Sequence, residues 1–294
     1  MKIKLIANPV AGGDARSKID RAVTWLEERG ASVELDMTKA RGDAGRSAAA
    51  ARDAGFDRII AAGGDGTLNE VINGLAPSAI PLAFIPFGTA NVFALGTGIP
   101  LDLEKACDVA LHGTPRPVCL GLAGETRFLL MAGIGFDAEV VAGVSLPLKR
   151  RVGKLAYLLS GLRTLARPGT APFEVTAENG VSYRAYGAVL GNDRLYGGRF
   201  SITPEASLQE DSLAVCLFLR PGRLRLLATI ARMVLGCTLG EDEVLRFKSR
   251  HLSIAGSSAR VQIDGDCNGR LPQTFQAVSG ELNLVYPNKD LQVL

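Results

Sequence analysis

Apolar runs and amphipathic stretches alternate through the first third of the chain. Lys2–Ala7 reads as a buried strand, and Asn8-Pro9-Val10-Ala11-Gly12-Gly13 follows as a turn. From Asp14 to Arg29 the residues Ile19, Val23 and Leu26 recur at helical spacing, and Gly30 supplies the C-terminal stop. Ala31–Asp36 is a second strand. The alanine-rich run Ala44–Ala54 is a strong helix former that ends at Gly55. Arg58–Ala62 is a third strand and runs straight into Gly63-Gly64-Asp65-Gly66-Thr67-Leu68-Asn69-Glu70. Leu68–Asn73 has helical character, and Pro81–Pro86 is a fourth strand that runs into Phe87-Gly88-Thr89-Ala90-Asn91. A helix with Leu103, Ala106, Val109 and Ala110 on one side closes the region before Gly113. This alternation predicts an α/β domain with a parallel sheet covered on both faces.

The grammar changes after about Pro117. Phe128–Ala132, Phe173–Ala177, Tyr183–Leu190, Leu213–Leu219, Leu245–Ile254, Arg260–Ile263 and Glu281–Val285 all have strand character. Asn179-Gly180 between two β-rich runs is a hairpin signal. The pattern predicts a mainly antiparallel sandwich or barrel with two inserted helices, Arg151–Ala166 and Leu224–Leu235. The expected division is residues 1–120 for the α/β domain and 121–294 for the β domain, with the extreme C-terminus free to pack back on the first.

Composition narrows the function classes. The 294 residues are 47% hydrophobic and 21% charged, which excludes disorder as the main state. A net charge of +3 is too mild to announce a nucleic-acid binder. The five cysteines are scattered without a C-x-x-C pair, which argues against a disulfide framework or zinc site and for a reducing compartment. That the chain has only His112 and His251 argues against a Ser-His triad or a His-rich metal site. The N-terminus has too short an apolar run for a signal peptide, and no stretch approaches the roughly 18 apolar residues of a membrane span. The expectation is a soluble, cytoplasmic protein.

The sharpest chemical signal is the glycine-rich run at Gly63–Glu70. Glycines after a strand let the backbone approach an anion closely, and a helix N-terminus adds its N–H groups to form a phosphate cradle. Asp65 falls at the strand's carboxyl end, where open α/β sheets bind ligands. A carboxylate beside phosphate can hold Mg²⁺ or accept a proton from an attacking hydroxyl. Thr67-x-x-Glu70 also fits a capping box, which alone would account for both residues. The run is neither a Walker A loop nor G-x-G-x-x-G.

The Gly-Gly-Asp-Gly-Thr-Leu-Asn-Glu run, with Asn8–Gly13 upstream and Pro86–Asn91 downstream, resembles the diacylglycerol kinase catalytic-domain family of lipid kinases, which includes sphingosine kinases. Gly133–Asp137, Arg150–Gly153, Tyr196–Gly198 and Ile263–Asp266 extend the resemblance over nearly the whole chain. It implies a first domain like that of NAD kinase and 6-phosphofructokinase, a C-terminal β-sandwich, and ATP with Mg²⁺ in the cleft between them. It implies nucleotide contacts at Asn8, Ala11, Gly12, Gly13, Thr38, Thr89, Asn91, Asp264 and Gly265. Gly64, Asp65, Gly66 and Thr67 become the phosphate loop, with Glu70 behind it, and Arg150 reaches the nucleotide. Many bacterial members carry an aspartate where this chain has Val92; the sphingosine kinase branch also lacks that aspartate. The family's Asp-Gly-Glu, whose glutamate is the base in bacterial members, reads Asp264-Gly265-Asp266 here. Asp266 is shorter by about 1.5 Å of reach, so Asp65 competes with it for the role of base. Glu210 aligns with a magnesium-ligating aspartate, with Asp211 as the fallback.

The implied reaction is transfer of the γ-phosphoryl group of ATP to a lipid hydroxyl. Rival readings are a nucleotide- or lipid-binding protein that has lost catalysis, and NAD kinase, whose T-G-S-T-A-Y and N-x-G-x-L-G-F segments do not occur here. The basic helices carrying Lys149, Arg150, Arg151, Lys154, Arg163 and Arg167, and Arg220, Arg223, Arg225 and Arg232, fit either an anionic membrane surface or a solvated face. A lipid and a peripheral membrane surface are the expected partners. A homodimer is compatible with the sequence, and nucleic acid is not expected.

Overall fold

The computed structural model describes residues 1–143, 171–196, 198, 201–235, 237, 239–240 and 242–288. The expected helix Arg151–Ala166, with Arg150 and its neighbouring cations, lies outside them. Two compact units emerge, one of Met1–Cys119 with Ser279–Leu294 and one of Leu120–Val278.

The first unit contains β1 (Lys2–Ala7), α1 (Ala15–Glu27), β2 (Ser32–Met37), α2 (Asp43–Ala51), β3 (Arg58–Gly63), α3 (Asp65–Leu75), β4 (Leu82–Pro86), α4 (Val92–Thr97) and α5 (Leu103–His112). Its strands run parallel in the order β2-β1-β3-β4. β3 and β4 are buried throughout, as strands covered on both faces must be, whereas edge strand β2 alternates in exposure. Ile3, Leu5, Ile60, Ala83 and Ile85 meet Ile19, Ala22 and Leu26 of α1 and Ala106 and Ala110 of α5 in one apolar cluster. Glycine spacing brings α2 and α3 together, because a Cβ on Gly74 would stand 2.0 Å from the carbonyl oxygen of Gly45.

The second unit includes β6 (Thr126–Phe128), β7 (Met131–Ile134), α6 (Phe136–Gly143), β8 (Phe173–Ala177), β9 (Ser182–Ala185), β10 (Gly187–Gly191), β11 (Leu213–Phe218), α7 (Arg223–Val234), β12 (Val244–Ser249), β13 (His251–Ala255), β14 (Arg260–Ile263) and β15 (Asp266–Arg270). One of its sheets has the antiparallel order β12-β11-β10-β7-β14-β15. The other pairs β9 with β8, β8 with β13, and β13 with the start of β16 (Gln273–Tyr286). The last residues of β16 pair with β4. β5 (Thr114–Ala123) forms a hairpin with β6. Phe128, Phe173, Leu190, Val215, Leu252, Val261 and Phe275 pack between the sheets, so this is a sandwich.

Three expected strands divide. Phe128–Ala132 breaks at Leu129 and Leu130, whose N–H groups go to a side chain rather than a ladder. Tyr183–Leu190 breaks at Tyr186, between β9 in one sheet and β10 in the other. Leu245–Ile254 breaks at Arg250 for the same reason, since β12 pairs with β11 and β13 pairs with β8. Apolar runs signal burial but not which sheet buries them.

Candidate active site

β1, β3 and β4 end on one edge of the parallel sheet, and each runs into a loop that the sequence marked. Asn8 N–H donates to the Ala62 carbonyl at 2.9 Å, and Phe87 N–H to the Gly63 carbonyl at 2.7 Å. Thr38 follows β2 at the same edge, its N–H donating to the Ala7 carbonyl at 2.9 Å. The three loops are therefore laced together by backbone. A Cβ on Gly88 would stand 2.7 Å from Gly64 Cα, so the second and third loops come this close because residue 88 is glycine.

α3 begins at Asp65, with Gly64 as its N-cap. The capping-box expectation is therefore corrected. It needed a helix starting after Thr67, but Thr67 is inside the first turn, and its buried hydroxyl accepts from Asn8 Nδ2 at 3.2 Å. That bond ties the first loop to the glycine loop. The Asn8 side chain also accepts Val10 N–H at 3.0 Å and shapes the turn to Ala11, Gly12 and Gly13. Gly12 has φ +90°, and a Cβ there would stand 2.6 Å from the Phe87 carbonyl oxygen. Gly12, Gly13, Gly66 and Thr89 form the exposed lip, and a Cβ on Gly66 would meet nothing of the protein within 4 Å.

Asp65 spans this edge. Its two carboxylate oxygens accept the N–H groups of Val92 and Phe93, each at 3.1 Å, and so cap α4. Asn91, at φ +46°, donates its side-chain amide to the Gly88 carbonyl at 2.8 Å and closes the turn that delivers those groups. Glu70 lies one turn further into α3 and is partly buried. Exposed glycine backbone beside the positive end of α3 suits an anion such as phosphate.

The second unit assembles the other marked acids. Asp264 and Gly265 have φ +46° and +83° and form the two-residue turn between β14 and β15. The Asp264 carboxylate accepts the N–H groups of Leu129, Leu130 and Met131 at 2.7, 2.8 and 3.0 Å. Its observed work is to pin that turn to the segment between β6 and β7. Asp266 opens β15 and is partly buried.

Behind the turn stands a buried polar group. Asp137 of α6 accepts from the Tyr196 hydroxyl and, at 2.7 Å, from Gln262 Nε2. Burial pushes the Asp137 carboxyl above its ordinary range, against the opposing effect of those two bonds. Burial and the facing carboxylate push the Tyr196 hydroxyl well above its own. The Gly133–Asp137 and Tyr196–Gly198 segments were visible as motifs, but their convergence on Gln262 had no signal in the sequence.

Glu210 pairs with Lys248, and Asp211 pairs with Arg250 at 2.9 Å. Among the described residues no group of three or more His, Cys, Asp or Glu is assembled for a metal. These two carboxylates face cations and do not fit a protein-built metal cage. The five cysteines are free thiols. No helix among the described residues is long and apolar enough to cross a membrane.

Residues 2–123 match the diacylglycerol kinase catalytic domain, and residues 131–286 match the YegS C-terminal NAD kinase β-sandwich-like domain. The chain is 32% identical to diacylglycerol kinase of Bacillus subtilis over 304 residues, covering 100% of this chain and 99% of that one. This chain belongs to the diacylglycerol kinase family of lipid kinases. Over 273 residues it is also 34% identical to a Pseudomonas putida protein named "Probable lipid kinase YegS-like", covering 90% and 89% of the two chains. The crystal structure of a Bacillus anthracis diacylglycerol kinase superposes with a TM-score of 0.76 at 24% identity, covering 99% of this chain and 98% of that one, a likeness of fold. Family membership makes the chain a kinase with a lipid substrate and gives the glycine loop its context.

Proposed function

We propose that this kinase transfers the γ-phosphoryl group of ATP to a hydroxyl of a lipid such as a diacylglycerol or a sphingoid base. One observation carries the reading. The loop from Gly63 to Thr67 leaves open space over Gly66 at the N-terminus of α3, on the sheet edge where such folds take ligands. Asn8, Ala11–Gly13, Thr38, Thr89 and Asn91 are the further nucleotide contacts, with Arg150 from outside the described residues. A magnesium ion would be held chiefly by the phosphate oxygens of ATP, with at most one or two carboxylates of the chain. When bound, that ion neutralises phosphate charge.

The chain's own residues divide the remaining work. Glycine-loop N–H groups hold the phosphates, and positioning supplies most of the rate in such transfers. Asp65 orders the loop by capping α4, since both its oxygens are engaged there. Asp266 is assigned the acceptor proton. The reaction takes place at a membrane surface, met in part by Leu224 and Leu235, which are 74% and 78% exposed at the ends of α7. Arg220, Arg223 and Arg232 are paired with Asp242, Glu139 and Glu243, so their charge is already balanced within the protein. Radiolabelled ATP presented with a panel of purified lipids tests the function. A labelled phospholipid product is expected. ATP binding without any labelled lipid would instead leave a nucleotide-binding protein.

A further inference from the structure

Gln262 is a polar side chain with 0% exposure, yet it does not point into the sandwich core. Its neighbours Val261 and Ile263 belong to the core cluster. Strand alternation therefore aims Gln262 at the opposite face of its sheet, where α6 brings Asp137. Both ends of its amide are engaged there. Nε2 donates to Asp137 Oδ2 at 2.7 Å, and Oε1 accepts the Gly265 N–H at 2.8 Å. The other Asp137 oxygen accepts from the Tyr196 hydroxyl. A carboxylate only accepts, so Asp137 dictates that the NH₂ end of Gln262 faces it. The carbonyl end is thereby left for Gly265. Gly133 keeps the space, because a Cβ there would stand 1.9 Å from Asp137 Oδ2 and 2.7 Å from Gln262 Nε2.

Gly265 is the middle residue of the Asp264-Gly265-Asp266 turn. The turn is thus held from two sides, by the Asp264 carboxylate on three backbone N–H groups and by Gln262 on the Gly265 N–H. Asp266 is the next residue, and its backbone pairs with Ile263. We propose that Gln262, oriented by Asp137 and Tyr196, is a positioning residue that fixes this turn and so sets where the Asp266 carboxylate stands for proton transfer. The proposal rests on the reading of Asp266 as the base.

Reversal of the amide provides the test. Gln262→Glu places an oxygen against the Asp137 carboxylate. Asp137→Asn no longer dictates the direction of the amide: with its oxygen kept on the Tyr196 hydroxyl its NH₂ faces Gln262, which then turns over and loses Gly265. The double swap Asp137→Asn with Gln262→Glu restores a donor at 137 and acceptors at 262, so both links reform. Each single variant is expected to lower kcat by between about 10- and 100-fold, with KM for ATP within about twofold of wild type, and the swap to recover most of the loss. A purely structural role would lower melting temperature and active fraction without this kcat-specific rescue. In an Asp266→Asn background, Gln262→Glu is expected to cost nothing further. Wild-type kcat in the single variants, no recovery in the swap, or an undiminished loss in the Asp266→Asn background would overturn the positioning role while leaving the base reading in place. Full kcat in Asp266→Asn itself would instead remove the base reading, and the positioning role with it. If either single variant does not fold, Tyr196→Phe replaces it, with a smaller loss in the same direction.

Discussion

Asp65 Oδ1 accepts the backbone N–H of Phe93 at 3.1 Å, across 28 positions of sequence, while Oδ2 takes the N–H of Val92. The acid inside the glycine loop is thereby the cap of a different helix. Asp65→Asn keeps one acceptor and turns a donor toward the second N–H, so it does more than remove charge. Expected outcomes are a stability loss of about 1–3 kcal/mol and a fall in kcat with every lipid acceptor. Thermal melts and steady-state kinetics on the same preparation check both. An unchanged melting temperature would show that α4 does not depend on this cap.

The glycines of the site divide into two kinds. Gly12→Ala should destabilise the protein, because its φ is +90° and a Cβ would stand 2.6 Å from the Phe87 carbonyl oxygen. Gly66→Ala should leave melting temperature unchanged, because the space beside it is open. Any requirement for glycine at 66 then comes from the ligand, and ATP affinity by calorimetry should fall by about tenfold or more. Wild-type affinity in Gly66→Ala would remove the phosphate cradle from this loop.

The contrast shows what could be read from residue order. The parallel sheet was legible because buried strands and amphipathic helices have different periods, and the glycine loop because several glycines after a strand are rare without cause. The Asp65–Phe93 bond was not legible, since nothing in a carboxylate names its partner 28 positions away. Thr67 and Glu70 misled in a specific way. Their spacing satisfies a local rule, but α3 starts three residues earlier because Gly64, not Thr67, serves as N-cap. Gln262 was missed because one glutamine in a strand carries no pattern, and its meaning comes from Asp137 and Gly265 meeting it in space.

Asp137 makes a pH prediction. Burial raises its pKa in the folded protein, so the folded state holds that proton at pH values where the unfolded chain has released it. Between the ordinary carboxylate value and the raised one the folded state binds more protons, and stability therefore falls as pH rises through that window. Asp137→Asn removes this contribution. The melting-temperature difference between Asp137→Asn and wild type should shift in favour of the variant on going from acidic to neutral buffer. A difference independent of pH would mean that Asp137 does not titrate in that window.

Membrane association should draw on apolar contact as well as charge. Arg220, Arg223 and Arg232 are ion-paired within the protein, whereas Leu224 and Leu235 stand out from α7. Co-sedimentation with vesicles should favour anionic over neutral lipid through Arg225 and the Lys149, Arg150 and Arg151 cluster, with salt weakening but not abolishing binding. Leu224→Ser with Leu235→Ser should reduce the salt-resistant fraction. If that fraction is the same in the double variant, α7 is not the part of the chain that meets lipid.

Asp266 and Asp65 make opposite kinetic predictions, which lets one pair of substitutions separate them. As the base, Asp266 would take the acceptor proton as the oxygen–phosphorus bond forms, and its loss should lower kcat by a factor of roughly 10²–10⁴. Asp266→Asn keeps the side chain's size at the start of β15 and leaves the neighbouring turn to Asp264 and Gln262. The loss should therefore fall on kcat, with KM for ATP little changed. Asp266→Glu adds one methylene and recovers about 1.5 Å of reach, so activity should be kept or raised. If Asp266 instead only orders the nucleotide, Asp266→Asn should raise KM for ATP and leave kcat near wild type at saturation. Full kcat in Asp266→Asn with saturating ATP and lipid would assign the proton to Asp65, whose carboxylate would then have to exchange a backbone N–H for the substrate hydroxyl during each turnover.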